Sequence, residues 1–482
     1  RRLAGVREAF GRANDPRLGL EYASYFGSSE LGEWACLVST FHESTRPLLE
    51  YVHNDVVDGP ALVRLFHSLT DQLSCLHDAG YSHGDLAPTN VIVSADGVPH
   101  LIDVEYWQPL DAASSPRLQL AGTPGYIHPD VTLTLSPPTA HQRQLWDVFG
   151  LGKTLLEVLE SLSPDSWPLI SHYQQRALRL AACRALDGLN SPEQVALGLK
   201  PGDFKDIRYQ RAADLCEDLS KIMEPATLIS QIPELDVSGA DRIQVSAVAP
   251  LVSTPRLLAL VRLDVFQRLS HIKQLGLIEL VYPTANHTRA EHALGTYAMT
   301  CEYVRWLLRD PDNPLFCQIV GKPDVLALLV AALLHDVGHY PLAHDFEEVD
   351  RDLFDHEART SRLLRTDPAL KDLLTAAEPL GWGIDPERVV RILAANDRSS
   401  LRDQVLHSII SGPIDADKLD YLVRDSSRTG TAYGRGIDVS RLSTTLTCLV
   451  DEREHASRLV IGTKEKGIGP AETVAFARYT MF

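Results

Sequence analysis

The chain has 482 residues, 44% hydrophobic and 23% charged, with 46 basic against 64 acidic side chains and a net charge of −18. That is material for two to four domains, each with its own core, and it excludes wholesale disorder. It also excludes an extended basic footprint for nucleic acid, so any polyanion must be met by a local pocket of Arg, Lys or metal.

In chain order, Arg1 to Asn14 places Leu3, Val6 and Phe10 at helical spacing. Leu18 to Phe41 reads as two strands around a turn from Gly27 to Gly32. Ala61 to Ala79 is an amphipathic helix, and Val91–Val93 with His100–Ile102 flank Ala95-Asp-Gly97 as a hairpin. Gln144 to Glu224 is mostly helical. The stretch after Leu228 contains Pro233 and Gly239 with little periodicity and reads as a linker. After Leu257 nearly everything reads as helix. The longest apolar run, Val325 to Leu334, is too short for a membrane span and no signal peptide is visible. Seven cysteines, none in a C-x-x-C pair, fit a reducing compartment, so a cytoplasmic protein is expected. Ten Lys against thirty-six Arg points to a GC-rich bacterial genome.

Two constellations carry chemistry. The first is His83-Gly-Asp-Leu-Ala-Pro-Thr-Asn90, then Leu101-Ile-Asp-Val-Glu105, Ala121 to Asp130 and Trp146 to Gly152. Phosphoryl transfer needs a carboxylate for the hydroxyl proton and oxygen ligands for magnesium, and Asp85, Asn90 and Asp103 offer these. Loop Asp and Asn are usually turn formers, but four motifs in this order argue against that reading. The set resembles the protein kinase family over residues 1–225. The resemblance implies Asp85 as catalytic base and Asn90 and Asp103 as ligands of Mg-ATP, with Asp147 on the following long helix. Gly84, Ala87 and Val104-Glu105 depart from the family pattern, and no Gly-rich loop or strand Lys precedes them.

The second runs from Phe266-Gln-Arg-Leu through Gln274-Leu-Gly276, His287-Thr-Arg-Ala-Glu-His292, Leu334-His-Asp336, His339, His344, Glu347 and Asp355-His356 to Asp415-Ala-Asp-Lys-Leu-Asp-Tyr421. His335-Asp336 end an almost wholly apolar helix and need polar partners there. Two imidazoles (His292, His335) with two carboxylates (Asp336, Asp417) suit Mn, Fe, Zn or Ni better than Ca. Asp415, Asp417 and Asp420 compete as the final ligand, with Asp415 also a candidate N-cap and Asp417 and Tyr421 on one helical face. A lone His here would more often be a hydrogen-bonded helix end; the cluster argues otherwise.

This set resembles the HD-domain superfamily, and within it the deoxynucleoside triphosphate triphosphohydrolases, over about residues 246–482. The resemblance implies His292, His335, Asp336 and Asp417 as metal ligands, with a divalent transition metal or Mg. It implies His339, His344, Glu347 and His356 as the catalytic cluster at the α-phosphate. Gln274 and Leu275 match residues that exclude a 2′-hydroxyl, and Arg289, Lys418, Tyr421 and Asp425 match phosphate and sugar contacts. Ser270 stands where an Arg helps bind activating nucleotide, so that form of activation is not expected.

The expected architecture is multidomain α+β. A protein-kinase-like fold with an incomplete N-lobe (1–227) is followed by a linker (228–245) and an all-α HD domain (246–482). The expected function is hydrolysis of a dNTP to deoxynucleoside and triphosphate, with ATP as a ligand of the first domain, a homo-oligomeric assembly, and a role in nucleotide-pool control or antiviral defence. The rivals are another HD phosphohydrolase, phosphodiesterase or nuclease, and a kinase or pseudokinase scaffold that controls the HD domain. By the same resemblance the sequence is expected to be cut at both ends.

Overall fold

The computed structural model describes residues 22–29, 32–39, 45–103, 108–110, 122–133, 138–188, 199, 201–225, 227–238, 242–245, 249–342, 350, 354–452 and 457–481. The helix expected over Arg1 to Asn14 lies outside them. The chain divides into two compact units, Arg1–Glu224 and Pro225–Phe482.

In the first unit, β1 (Tyr22–Ser29) and β2 (Gly32–Ser39) form the antiparallel pair expected from their sequence, with Tyr22 opposite Ser39 and Ser29 opposite Gly32. Helix α1 (Gly59–Asp78) starts where the Asp58 carboxylate accepts from the amide of Ala61 at 2.7 Å. It stops at Gly80, whose φ of 87° an L side chain rarely adopts. Its apolar stripe of Leu62, Leu65, Phe66, Leu69, Leu73 and Leu76 is buried. Each such side chain contributes roughly 1.5–3 kcal/mol by leaving water. The stripe joins one core with α2 (Ala140–Ser161) and α3 (Ala212–Met223). Strands β3 (Val91–Val93) and β4 (Pro99–Leu101) pair antiparallel, and Gly97 turns the chain between them with φ 82°.

The second unit is mostly helical, but not all-α as expected. One hairpin joins Arg242–Gln244 to Pro250–Val252. A longer one pairs β5 (Leu446–Glu452) with β6 (Ser457–Thr463). Two cross-element bonds favour the strand: α7 (Leu401–Ile410) offers the Gln404 Oε1 and Ser408 Oγ atoms to the amides of Leu459 and Ile461, at 3.0 and 2.9 Å. A helix cannot offer those amides to a neighbour, since its own carbonyls take them. The stretch expected as a linker also carries packed structure. Ile232 and Leu235 are fully buried, and the buried Glu234 accepts from Thr254 Oγ1 and Arg256 Nε, both at 2.7 Å.

Helices α4 (Arg289–Leu308) and α5 (Lys322–Leu334) carry the first half of the site. A capping box between Thr288 and Glu291 starts α4. Helix α5 is buried on every side from Val325 to Leu334, as its unbroken apolar run requires. Helices α6 (His356–Thr366), α7 and α8 (Ala416–Thr429) close the site, and α9 (Ile468–Met481) packs against α8. Gly295 on α4 faces α8 so closely that an added Cβ would lie 1.9 Å from Asp420 Oδ1. Among the described residues no helix is long and apolar enough to cross a membrane.

Candidate metal centre

Helix α4 presents His292, the end of α5 presents His335 and Asp336, and the first turn of α8 presents Asp417. The ligand atoms of His292, His335 and Asp336 lie within 4.8 Å of one another. Asp417 Oδ1 is 2.8 Å from His292 Nε2 and 3.4 Å from His335 Nε2. Asp415 is the N-cap of α8, accepting from the amide of Lys418 at 2.6 Å. Asp420 sits behind the cluster, with Oδ2 2.9 Å from His292 Nδ1. The three carboxylates therefore differ in position: Asp415 caps α8, Asp417 faces both imidazoles and Asp420 lies behind His292.

Both imidazoles are oriented for coordination. His292 Nδ1 is held by Asp420, which Arg424 clamps through two 2.8 Å bonds. His335 Nδ1–H donates to the carbonyl of Ala332 at 2.8 Å. Each ring then turns Nε2 toward the carboxylates, the arrangement typical of histidine metal ligands. Burial pushes the His292 pKa down, but Asp417 and Asp420 override it and raise it to about 10. His335 is raised in the same manner, with Asp336 and Asp417 outweighing burial. Burial disfavours the ionised form of Asp336, yet His335, His339 and Arg289 hold its carboxyl well below the usual range. This strongly anionic setting with two aimed nitrogens fits a divalent transition cation. Both Nε2 atoms must lose their protons to bind it.

Arg289 Nη1 donates to Asp336 Oδ2 at 2.6 Å. His339 Nε2 lies 3.1 Å from Asp336 Oδ1, and its ring stacks on His356 at 3.8 Å. Burial lowers the His339 pKa to about 4, against the pull of Asp336. Gly338 lets α6 approach: a Cβ there would meet the carbonyl of His356 at 2.0 Å. The segment bearing Gln274 is tied to the start of α4, with the Gln274 amide donating to His287 O and the Arg289 amide to Ile272 O. His287 Nε2 in turn bonds Asp425 Oδ1 at 2.8 Å.

A single cavity of about 610 Å³ is lined by Gln274, Leu275, Arg289, Lys418, Tyr421 and Asp425 together with His292, His335, Asp336, Asp417, His339 and His356. His344 and Glu347 lie outside the described residues. Arg478 on α9 also lines the cavity, although nothing in its sequence context singled it out. His287 was not assigned to the site, Asp420 was weighed only as a rival metal ligand and Arg424 only as a cation for phosphate; packing instead sets His287 against Asp425, and Asp420 between His292 and Arg424.

Asp85, Asn90 and Asp103 belong to the first unit. Asn90 Nδ2 donates to Asp85 Oδ2 at 3.0 Å and to the Asp85 carbonyl at 2.7 Å. The amide of Ile102, beside Asp103, donates to Asn90 O at 2.9 Å, so the hairpin does bring 103 next to 90. Asp103 takes a left-handed φ of 66°. Asp147 accepts from the amides of His83 and Gly84 at 2.8 and 2.9 Å.

Residues 289–423 match the family model described as HD domain. This segment is an HD domain. The chain is similar to an uncharacterised protein of Methanocaldococcus jannaschii, 35% identical over 45% of this chain and 39% of that protein. It is also similar to the uncharacterised YwfO of Bacillus subtilis, 34% identical over 45% of this chain and 44% of that one. The deoxynucleoside triphosphate triphosphohydrolase SAMHD1 of Danio rerio is 30% identical over 45% of this chain and 37% of its own length. The chain thus spans less than half the length of these three relatives.

Proposed function

We propose that the second unit hydrolyses deoxynucleoside triphosphates at the α-phosphorus, releasing deoxynucleoside and inorganic triphosphate. The observation that carries this reading is the shared cavity: metal-ligating His and Asp, cationic Arg289, Lys418 and Arg478, and Gln274, Leu275, Tyr421 and Asp425 all line it. The similarity to vertebrate triphosphohydrolases supports it. Two buried atoms, Arg289 Nε and Gln274 Oε1, make no hydrogen bond among the described residues, which suits groups kept for a ligand.

His292, His335, Asp336 and Asp417 would hold a divalent cation. Once bound, it supplies Lewis acidity at the phosphoryl oxygens and acidifies water. Arg289 neutralises the α-phosphate while held by Asp336. His339 and His356, with His344 and Glu347, manage protons at the attacking water and the departing 5′-oxygen. His339, neutral near pH 7, is placed to accept one. Gln274 and Leu275 close on the 2′ edge of the sugar, and Tyr421 with the second oxygen of Asp425 on its 3′ edge. A pocket built against the extra hydroxyl discriminates more sharply than one that merely tolerates its absence. Incubating metal-loaded protein with each dNTP and NTP, with products separated chromatographically, tests this. Triphosphate and deoxynucleoside are expected from dNTPs alone; pyrophosphate and monophosphate, or equal rates on GTP and dGTP, would point to another HD phosphohydrolase.

For the first unit we propose a kinase-like module that binds Mg-ATP through Asn90 and Asp103 and biases the hydrolase. The left-handed Asp103 beside Asn90 favours this reading. Such a ligand acts only through differential affinity for two states. Asp103→Asn should then alter the ATP response of dNTP hydrolysis. Unchanged hydrolysis and ATP response would mean the units are merely tethered.

A further inference from the structure

We infer that Arg268, with Arg359 and Thr360 beside the same turn, is a positioning residue for the proposed hydrolysis: the three hold the backbone after α5 and so set where the His339 imidazole stands. This rests on the proton-accepting role proposed for His339. The need for such side chains is written in the sequence. Helix α5 ends at Leu334, and the chain then runs His335-Asp-Val-Gly-His-Tyr-Pro341. A further helical turn would have the Val337 carbonyl accept from the amide of residue 341, but Pro341 has no N–H. Leu342, the next donor in that series, takes a left-handed φ of 58°. The amides of Val337 and His339 still bond to the carbonyls of Leu334 and Asp336, three residues back. The carbonyls of Val337, Gly338 and His339 take no amide donor among the described residues. All three residues are buried, and a buried carbonyl without a donor is costly.

Side chains from two other elements supply the missing donors. Arg268, which opens the short turn Arg268–His271, donates from Nη1 to the His339 carbonyl at 2.5 Å and from Nη2 to the Val337 carbonyl. Arg359 on α6 donates to the Gly338 carbonyl between them at 3.2 Å. The buried Thr360 hydroxyl accepts from the Gly338 amide at 2.9 Å and donates to the His335 carbonyl at 3.1 Å. The planar fork of Arg268 spans two carbonyls in a fixed geometry, which a lysine ammonium does not. Arg359 is itself braced, since its guanidinium lies 3.8 Å from the centroid of the Tyr340 ring, next in sequence to His339. Among the described residues neither guanidinium meets a carboxylate, so both serve the turn rather than an ion pair. Helix α6 thus holds His339 from two sides: His356 stacks on its ring, and Arg359, three residues on, holds the backbone before it. Arg268 and Arg359 are not among the described residues that line the cavity, so they act through His339 and not on the substrate. A proton-transfer group displaced by about 1 Å costs on the order of 100-fold in rate.

The test is steady-state hydrolysis of dGTP by metal-loaded full-length protein, alongside the histidine ring signals of the zinc-loaded protein in NMR. Arg268→Met should lower kcat about 100-fold at unchanged KM and metal content. Arg359→Met removes the donor to one carbonyl instead of two; it should cost about tenfold, and it is the milder variant should the first fail to fold. Guanidinium ion at millimolar concentration should return part of the lost kcat to Arg268→Ala, and Arg268→Lys should recover less than that. The His339 ring signal, assigned by its absence in His339→Gln, should shift in both Met variants. A wild-type kcat in the Met variants, even at a lower melting temperature, overturns the proposal and leaves the arginines a purely structural part. A raised KM at unchanged kcat overturns it as well, by placing Arg268 on the substrate. If the wild type cleaves no dNTP, the proposed reaction fails separately. The His339 signal then decides the positioning: a shift in the Met variants keeps it, and an unmoved signal rejects it.

Discussion

In the first unit, Asp147 gives Oδ2 to His77 and the His83 amide and Oδ1 to the Gly84 amide, while Asp85 accepts from Asn90 and from the amide of Thr123. In the second, the carboxylates and imidazoles divide the work. Asp420 and the Ala332 carbonyl each take one imidazole nitrogen, and the remaining Nε2 atoms meet Asp336 and Asp417 beside a cavity. The same residue types therefore do two jobs. Where carboxylates spend their lone pairs on backbone amides they hold a loop in shape. Where an outer layer of partners saturates only one side of each ring, the inner side is kept for an ion.

Substitutions that remove one member of each network should separate these roles. The largest effect is expected from Asp336→Asn: turnover falls on the order of 10³-fold, since a ligand of a Lewis acid is worth several kcal/mol in the transition state. The fold should survive, as judged by circular dichroism. Asn is preferred over Ala because the buried Arg289 would otherwise lose its partner. Retained metal and turnover would show that Asp336 is structural after all. Next comes Asp147→Ala, which orphans the buried His83 amide and the buried His77 Nε2 and should destabilise the first unit by about 3 kcal/mol in denaturant unfolding. A small loss there would mean that the network is not what holds the loop.

A third substitution probes the outer layer of the HD site. Asp420→Asn keeps the shape of the side chain but weakens its hold on His292 and Arg424. Metal affinity, measured by competition with a chelating dye, should drop about 10–100-fold. No drop would mean that His292 needs no orientation. The smallest effect concerns pH. Burial lowers the pKa of His83, against Asp147, the Ile102 carbonyl, Asp85 and Asp103. The unfolded chain takes up a proton below 6.5 that the folded ring refuses, so this contribution to stability is present above pH 6.5 and is lost as the pH falls toward the lower folded value. The acid slope of unfolding should flatten in His83→Gln; an unchanged slope would assign it to other groups.

Much of the site was legible because its residues are short-range signals. His335-Asp336 at the end of an apolar run, His339 one turn on, and Asp417 four residues before Tyr421 are all spacings within one element. The strand pair β1–β2, helix α1 and the hairpin β3–β4 were readable for the same reason, since period and turn residues are local. The hairpin β5–β6 was missed because the bonds that favour it come from Gln404 and Ser408, about fifty positions away. The linker reading weighed Pro233 and Gly239 but could not see that Glu234 meets Arg256 and Thr254.

The sequence by itself determined which residue types the chemistry has to work with: a mixed nitrogen and oxygen donor set, helices long enough to carry it, and an acidic chain whose few cations must be concentrated locally. Only the tertiary structure decided which of Asp415, Asp417 and Asp420 caps, which meets the histidines and which orients them. It also brought Arg478 and His407 into the lining of one cavity. The physical reason is that a side chain's role depends on which of its lone pairs and protons are already taken. Those partners sit on helices brought together by burying apolar faces, at separations that local periodicity does not record.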